Sequence, residues 1–177
     1  NNYTVFASKP GVFHYLTYRP FRWWEFGLFE SVIWQGQNGR MHRGVEWAYL
    51  NPVIFIRPVE FSMGSADNVL AGFQNLFRGE KWIFYQQLML DEFLLEEISK
   101  QQGWWGNKFA FQTGFTLYDI LGLKNIFLKG ELNVIRPFTY THETKNANNL
   151  GIQNYSHNRM PLAHPFGANL MEYIIWA

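Results

Sequence analysis

The stretch Asn107-Lys-Phe-Ala-Phe-Gln-Thr-Gly-Phe-Thr-Leu-Tyr-Asp119 decides the fold class, because its residues alternate in character from one position to the next. The odd positions hold Phe109, Phe111, Thr113, Phe115 and Leu117, and the even positions hold Lys108, Ala110, Gln112, Gly114, Thr116 and Tyr118. Successive side chains of a β-strand point to opposite faces of a sheet. The stretch therefore predicts a strand with one apolar and one more polar face.

The same period recurs on both sides of this stretch. In the segment from Asn125 to Tyr140, Ile126, Leu128, Leu132 and Val134 share one parity, and Lys129, Glu131 and Asn133 share the other. In the segment from Arg22 to Gln35, Trp24, Phe26, Leu28, Val32 and Trp34 share a parity that only Glu30 interrupts. Further strands are expected at Asn2–Ser8, Gly11–Tyr18, Asn68–Arg78, Trp82–Phe93 and Ala168–Trp176. Several of these reach the roughly 9–11 residues that a tilted membrane strand needs.

The connections between these strands alternate in length. Short turns are expected at Arg19-Pro20-Phe21, Gly79-Glu80-Lys81 and Asp119–Leu123, and longer loops at 36–67, 94–106 and 141–167. In an antiparallel meander, alternate connections lie at the same end of the sheet. Tight turns at one end and long loops at the other are typical of outer-membrane barrels.

Composition favours the same class. Aromatic residues make up 19% of the chain and charged residues 16%, while the mean hydropathy is −0.21. Soluble domains carry about 25% charged residues. A membrane-spanning helix needs about 20 mostly apolar residues, and the longest apolar run is Tyr173 to Ala177. The backbone of a membrane chain without such a helix is satisfied only in a closed barrel.

A soluble β-sandwich is the rival interpretation, since it explains the alternation equally well. It explains the long strands and the one-sided loops less well. Many aromatic residues also lie near expected strand ends, as in the aromatic girdles of membrane barrels; they include Trp23, Trp24, Trp34, Trp82, Tyr85, Trp104, Trp105, Tyr118 and Tyr140. Strands favour aromatic residues in any setting, which accounts for part of this pattern.

Few residues suggest catalysis, and we expect no enzyme, metal or cofactor. The chain has no cysteine, and the five histidines form no HExxH motif. The nucleophile motif GxSxG and the nucleotide-binding motifs are absent too. A net charge of +1 gives no support for nucleic-acid binding. Asp91 and Glu92 are adjacent, so a strand would point them to opposite faces, and a solvated rim is the better interpretation than a catalytic pair.

Two loop segments are candidates for ligand binding. One contains Trp104, Trp105 and Asn107, and the other, from Asn154 to Asn169, contains His157, Asn158, Arg159 and His164. Aromatic rings beside amide and charged donors suit carbohydrate, whose rings have apolar faces and hydroxyl rims. Alternatively, both loops fold inward and brace the mouth of the barrel. The sequence leaves the two interpretations equal.

Two further expectations follow from side-chain parity. The even residues from Ile126 to Val134 should face lipid, with Lys129, Glu131 and Asn133 facing the lumen, because a charge at mid-membrane costs roughly 2–4 kcal/mol. Arg136 has the lipid-facing parity, and Pro137 cannot donate to a sheet. We therefore expect a bulge or a strand end there that turns Arg136 toward Asp91 or Glu92, and we include all three among the candidate glycan ligands.

Several longer motifs resemble one family of bacterial outer-membrane proteins. These motifs are Glu30–Trp34, Tyr49–Phe55, Arg57–Phe61, Gly64–Asn68, Leu90–Leu95, Gly103–Trp105, Arg136–Tyr140 and Leu162–Asn169. Together they resemble the Wzi-like capsule-assembly family, and more closely the RemB-like gliding-motility proteins of Bacteroidetes, over nearly the whole chain from Val12 onward.

The resemblance implies an outer-membrane β-barrel that is larger than this chain. It implies a non-enzymatic role, either in holding surface polysaccharide or as an accessory of a secretion and gliding-motility complex. The implied partners are membrane lipid, lipopolysaccharide, surface polysaccharide and other outer-membrane proteins. A barrel enzyme and a passive pore are the alternatives.

The expected fold is thus all-β: residues 1–177 form one segment, an antiparallel up-and-down arc of about eight strands from a larger transmembrane barrel. Because the chain ends inside an apolar strand, we expect a fragment of a longer protein. Residues 2–8 and 168–176 should then not pair with each other. A ladder between them would instead indicate a complete eight-stranded barrel.

Overall fold

The computed structural model describes residues 8–38, 41–51, 67–91, 108–142, 151–158 and 160–177. These residues form strands and two short 3₁₀ turns, Trp47–Leu50 and Ile120–Gly122. The strands are β1 (Gly11–Phe21), β2 (Trp24–Ile33), β3 (Gln37–Asn38), β4 (Met41–His42), β5 (Asn68–Arg78), β6 (Trp82–Asp91), β7 (Lys108–Tyr118), β8 (Phe127–Ile135), β9 (Ser156–His157), β10 (Met160–Pro161) and β11 (Leu170–Trp176). No helix in the described ranges is long and apolar enough to cross a membrane.

Seven strands form one antiparallel sheet in the order β1-β2-β5-β6-β7-β8-β11. Each long strand pairs with the next long strand along the chain, so the sheet is an up-and-down meander. β1 and β11 are its two edges, and no pairing closes the sheet among the described residues. The all-β, up-and-down prediction is confirmed, and an open sheet is consistent with part of a barrel. The expected first strand, Asn2–Ser8, lies outside the described residues except for Ser8.

The alternation of short and long connections is confirmed. The short connections are 22–23 between β1 and β2, 79–81 between β5 and β6, and 119–126 between β7 and β8; the long ones are 34–67, 92–107 and 136–169. All three short connections lie at one end of the sheet, called here the turn end, and the long ones lie at the loop end.

The first turn is placed differently from the prediction. β1 runs through Arg19, Pro20 and Phe21, and the chain reverses at Arg22 and Trp23. Proline cannot donate to a ladder, but β1 is an edge strand and tolerates it. The pairing of β1 with β2 is irregular between Tyr18 and Phe21, where the proline lies.

The sheet has two chemically distinct faces. Register pairs place Tyr85, Gly114 and Glu131 side by side across β6, β7 and β8, and the face they share is called the polar face. Lys129, Glu131, Asn133, Gln112 and Glu172 all lie on it. The opposite, apolar face carries Leu128, Leu132, Val134, Phe109, Phe111, Phe115 and Leu117. The predicted separation of side chains on β7 and β8 is confirmed.

Both faces are covered at the loop end. On the apolar face, Val32, Trp34 and Tyr49 form a buried cluster with Val12 and Val69. Glu30, which breaks the apolar parity of β2, lies in this covered zone and is only 2% exposed. On the polar face, a second cluster contains Leu70, Met89, Ile135 and Tyr140. Among the described residues, the long loops thus cover the sheet at its loop end.

Candidate functional site

A segment from the last long loop lies over the polar face. This strap comprises residues 151–158 and 160–168, and β9 and β10 form a small hairpin within it. The Lys9 ammonium donates to the carbonyl oxygens of Asn154 and Ser156, and the amide of Asn68 donates to the carbonyl of Gln153 at 2.9 Å. Burial lowers the pKa of Lys9 below its usual range. These bonds tie the strap to the start of β5 and to the residues that precede β1.

Tyr155 anchors the strap near its centre. Its ring centroid lies 6.1 Å from those of both Phe13 on β1 and Tyr140 just beyond β8, and its hydroxyl bonds to Ser31 on β2. In a flat sheet β1 and β8 would lie five strand spacings apart, about 24 Å. One tyrosine therefore contacts residues associated with distant strands, which indicates that the polar face curves around the strap.

His164 ties the other half of the strap to the edge strand β11. Its Nδ1 accepts a hydrogen bond from the backbone N–H of Phe166 at 3.3 Å, so the ring proton is on Nε2. Nε2 then donates to the carboxylate of Glu172 at 3.1 Å. The same carboxylate accepts a 3.0 Å bond from the amide of Asn133. His164 thus joins the strap to the polar network of the sheet.

That network is centred on Glu131. Its carboxylate accepts hydrogen bonds from the Tyr85 hydroxyl, from Gln112 at 3.2 Å and from Asn133 at 3.0 Å. The ammonium of Lys129 lies 3.0 Å away as an ion pair. Charge-assisted bonds of this kind are stronger than neutral ones. Glu131 is therefore held in one position by partners on three strands.

A cleft of about 410 Å³ opens between the strap and the sheet. Its floor carries three amides, Gln87, Gln112 and Asn133, beside the apolar side chains of Met89 and Ile135. Its walls include Phe29, Tyr140, Tyr155 and His164. The volume lies within the range of about 300–1,000 Å³ that is usual for small-ligand sites.

The two tyrosines of the cleft are strongly buried. Burial raises the pKa of Tyr140 to about 12, although a hydrogen bond to the backbone of His164 opposes the shift. Burial also raises the pKa of Tyr155, against the bond to Ser31. Both phenols therefore stay protonated in the folded protein well above neutral pH, and both can donate hydrogen bonds.

A separate polar cluster holds the first long loop. Arg43 makes a bidentate pair with Asp67, at 2.7 and 2.8 Å, and the Tyr49 hydroxyl donates to the same carboxylate at 2.7 Å. These bonds hold the pKa of Arg43 above its usual range. Asp67 is almost fully buried, and its bonds anchor the loop beside the start of β5. This cluster is structural.

The prediction for Arg136 is half right. β8 ends at Ile135, and residues 137–140 form turns, so the expected strand end is confirmed. The expected pairing with Asp91 is wrong: the guanidinium lies 5.7 Å from the ring centroid of Phe109, on the apolar face. The carboxylate of Asp91 instead accepts the backbone N–H of Tyr140 at 2.8 Å. The turn after β8 therefore directs the backbone N–H of Tyr140 toward Asp91. The side chain of Arg136 stays on the apolar face, as its position in the alternation predicts.

Of the five candidate ligand residues that the structure describes, Asp91, Arg136, His157, Asn158 and His164, only His164 lines the cleft. Asp91 is fully buried at the end of β6, and His157 and Asn158 are exposed at the tip of the strap hairpin. Glu92, Trp104, Trp105, Asn107 and Arg159 lie outside the described residues. The described part of the 154–169 segment lies over the polar face, and neither interpretation is decided by this position.

Sequence reasoning missed most of the cleft. Gln87, Gln112, Tyr140 and Tyr155 were not among the candidates, and Asn133 was expected only to face the lumen. Parity contained part of the signal, because Gln87 and Gln112 are opposite each other on β6 and β7. The contacts of Tyr155 with strands far away in sequence have no local signal.

Aromatic rings form a row across four neighbouring strands at the turn end. Trp24, Phe77, Phe84 and Phe115 are register partners on the apolar face, and their centroids are 6.0 to 6.5 Å apart. Phe21, Trp23 and Trp82 stack onto members of this row. Three of the predicted strand-end tryptophans, Trp23, Trp24 and Trp82, belong to this row or extend it, so the aromatic pattern is confirmed at this end.

No protein-family model, curated protein or solved structure matches this chain.

Proposed function

We propose that the chain is part of an outer-membrane β-barrel whose apolar face contacts lipid and whose non-enzymatic role is to hold surface polysaccharide. The observation that carries the membrane part is the aromatic row at the turn end. Rings of this kind collect at the level of lipid headgroups in membrane barrels. A row that spans four strands, with further exposed rings stacked on it, matches the girdle at the periplasmic side.

The exposed side chains of the apolar face support the same location. Leu16, Met171, Tyr173 and Ile175 are 55%, 61%, 71% and 76% exposed. Apolar surface of this extent is unusual on a soluble monomer. Lipid contact would remove it from water.

Two polar side chains on the apolar face are satisfied within the sheet. Asn75 accepts a 3.0 Å bond from the indole of Trp24, and the Thr113 hydroxyl donates to the carbonyl of Tyr85 at 3.2 Å. Gln86 lies beside them in the same row. Internal hydrogen bonds lower the cost of placing such groups against hydrocarbon.

The polysaccharide role rests on the cleft and on the family resemblance stated above. Amides beside stacked tyrosines provide the hydrogen bonds and the apolar surface that a sugar ring requires. The strap over the polar face disfavours a passive pore. It leaves the secretion or motility accessory role as the competing function within the same family.

Glycan hydrolysis is less well supported by the geometry. Glu131 and Glu172 each lie 3.0 Å from the same amide nitrogen of Asn133, so their carboxylates are close enough for a two-carboxylate mechanism. The Asn133 amide, however, lies between them, where a glycosidic bond would have to sit. The arrangement favours binding without cleavage.

The test uses a strain that lacks the gene for the full protein. Loss of the protein should release surface polysaccharide into the medium while the total amount made stays the same. Retained polysaccharide together with lost motility or secretion would contradict the holding role and favour the accessory role. When cells that contain the protein are fractionated, recovery of the protein outside the outer-membrane fraction would contradict the membrane location.

A further inference from the structure

The cleft under the strap has an unusual set of free hydrogen-bonding groups on its floor. Within the described part of the chain, the side chain of Gln87 makes no hydrogen bond, although it lines the cleft. The amide nitrogen of Gln112 donates to Glu131, and that of Asn133 donates to Glu131 and Glu172. Their bonds fix the orientation of both amides and leave their carbonyl oxygens as acceptors.

Neutral amides and hydroxyl groups are matched partners. An amide offers both donors and acceptors, and a hydroxyl group does the same. The Gln87 amide can therefore accept a hydrogen bond from one hydroxyl group of a sugar ring and donate one to a neighbouring hydroxyl group. Groups that each accept and donate select a polyol over an ion.

The walls provide flat apolar surface. The rings of Tyr140 and Tyr155 lie 6.1 Å apart at an interplanar angle of 29°, and Phe29 and Met89 lie near them. The C–H face of a pyranose can pack against such rings. Ligand sites of this type combine mostly apolar walls with a few placed polar groups.

The charge around the cleft is unfavourable for an anion. No lysine or arginine is among its described lining residues. The carboxylates of Glu131 and Glu172 accept hydrogen bonds from the floor amides, and Lys129 is paired with Glu131. A uronate or a phosphate would approach two carboxylates without a facing cation. An uncharged ligand meets no such penalty.

We infer that the cleft binds one uncharged pyranose unit of a surface glycan, with Gln87 as its main free hydrogen-bond partner. This inference rests on the proposed polysaccharide role and specifies where, and for which sugars, that role is carried out. Size, amide floor, aromatic walls and the lack of a lining cation all select the same class of ligand.

The experiment measures binding of methyl glycosides to the full protein in detergent by saturation-transfer NMR. The probes are the methyl glycosides of glucose, galactose, mannose and N-acetylglucosamine, with methyl glucuronide as the anionic comparison. At least one neutral glycoside should bind saturably, and the glucuronide should bind at least tenfold more weakly. Equal or tighter binding of the glucuronide would overturn the inference.

Two variants locate the site. Gln87→Ala should weaken binding of the neutral glycoside about tenfold, since it removes one or two hydrogen bonds. Ala110→Phe, which fills the cleft, should abolish it. Gln86→Ala is the matched control, because Gln86 is the next residue on β6 but lies on the apolar face; its affinity should stay within twofold of the parent.

Failure of this inference can be told from failure of the proposed function. If the intact polysaccharide binds and Gln87→Ala binds it as tightly as the parent does, the polysaccharide role survives and the cleft is not its site. If neither the polysaccharide nor any glycoside binds, both are wrong. Only a loss on Gln87→Ala with full binding by Gln86→Ala supports the cleft.

Discussion

The phenol ring of Tyr85 lies across Gly114, and its hydroxyl donates a hydrogen bond to the carboxylate of Glu131, two strands away. The three residues are register neighbours on β6, β7 and β8. A Cβ atom on Gly114 would clash with the Tyr85 ring, so only glycine leaves room for the ring in this position. The central bond of the polar network therefore depends on a residue without a side chain.

Gly114→Ala should destabilise the fold by about 1–3 kcal/mol, as expected when a methyl group is forced into a packed position. Displacement of Tyr85 would also remove its bond to Glu131. The measurement is urea unfolding in detergent, followed by tryptophan fluorescence.

Gly130→Ala is the control for this substitution. Gly130 lies on β8 on the apolar face, and a Cβ atom there would meet nothing within 4 Å. It should leave stability unchanged or raise it by up to about 1 kcal/mol, because alanine restricts the unfolded chain. Equal loss in both variants would show that Gly114 has no special role.

His164→Ala should loosen the strap. The substitution removes the 3.1 Å bond to Glu172, and a hydrogen bond to a charged group contributes about 1.5–3 kcal/mol. We expect trypsin to cleave after Arg159, between the two described halves of the strap, at least tenfold faster. His157→Ala, in the exposed hairpin tip of the same strap, should cleave at the parent rate. The same cleavage rate in both variants would contradict the tether.

High pH should destabilise the folded state through Tyr140. Its folded pKa, about 12, lies above the usual value of 10.0. The phenol therefore contributes its full stabilisation below about pH 10, and this contribution is lost as the pH rises through 12. A shift of this size corresponds to about 2–3 kcal/mol.

Tyrosinate absorbance and unfolding midpoints between pH 9 and 12, roughly the range over which phenols titrate, measure this loss. Tyr140→Phe should lose less stability over that range than the parent, although it is less stable at neutral pH because it lacks the bond to His164. Tyr118→Phe, at a side chain that is 43% exposed on the polar face at the turn end, should follow the parent curve. A Tyr140→Phe variant with the parent's pH dependence would refute the assignment.

The sheet was predictable because its signal is local. Period-2 alternation in β7 and β8 depends only on neighbouring positions, and it assigned Lys129, Glu131 and Asn133 to one face correctly. The first turn was predicted too early in the chain, because proline usually ends a strand and Pro20 was taken as part of the turn. An edge strand tolerates proline, and edge position is a property of the assembled sheet.

The cleft was not predictable, because its signal is not local in the sequence. Its walls depend on Tyr155, which contacts Phe13 and Tyr140, and on the hydrogen bond from His164 to Glu172. The sequence showed a loop rich in amide, histidine and aromatic residues. It contained no signal for which of those residues would turn toward the sheet, so His164 was found together with residues that lie elsewhere.

The most direct test of the membrane assignment uses single cysteines, since the chain has none of its own. Leu88→Cys and Leu132→Cys place a thiol on the apolar face, and Gln87→Cys and Gln112→Cys place one on the polar face. In intact outer membranes, a nitroxide on the first pair should be relaxed by oxygen, which concentrates in lipid. A nitroxide on the second pair should be relaxed by a water-soluble nickel complex. Equal access of the nickel complex to both pairs would contradict a lipid-facing apolar surface.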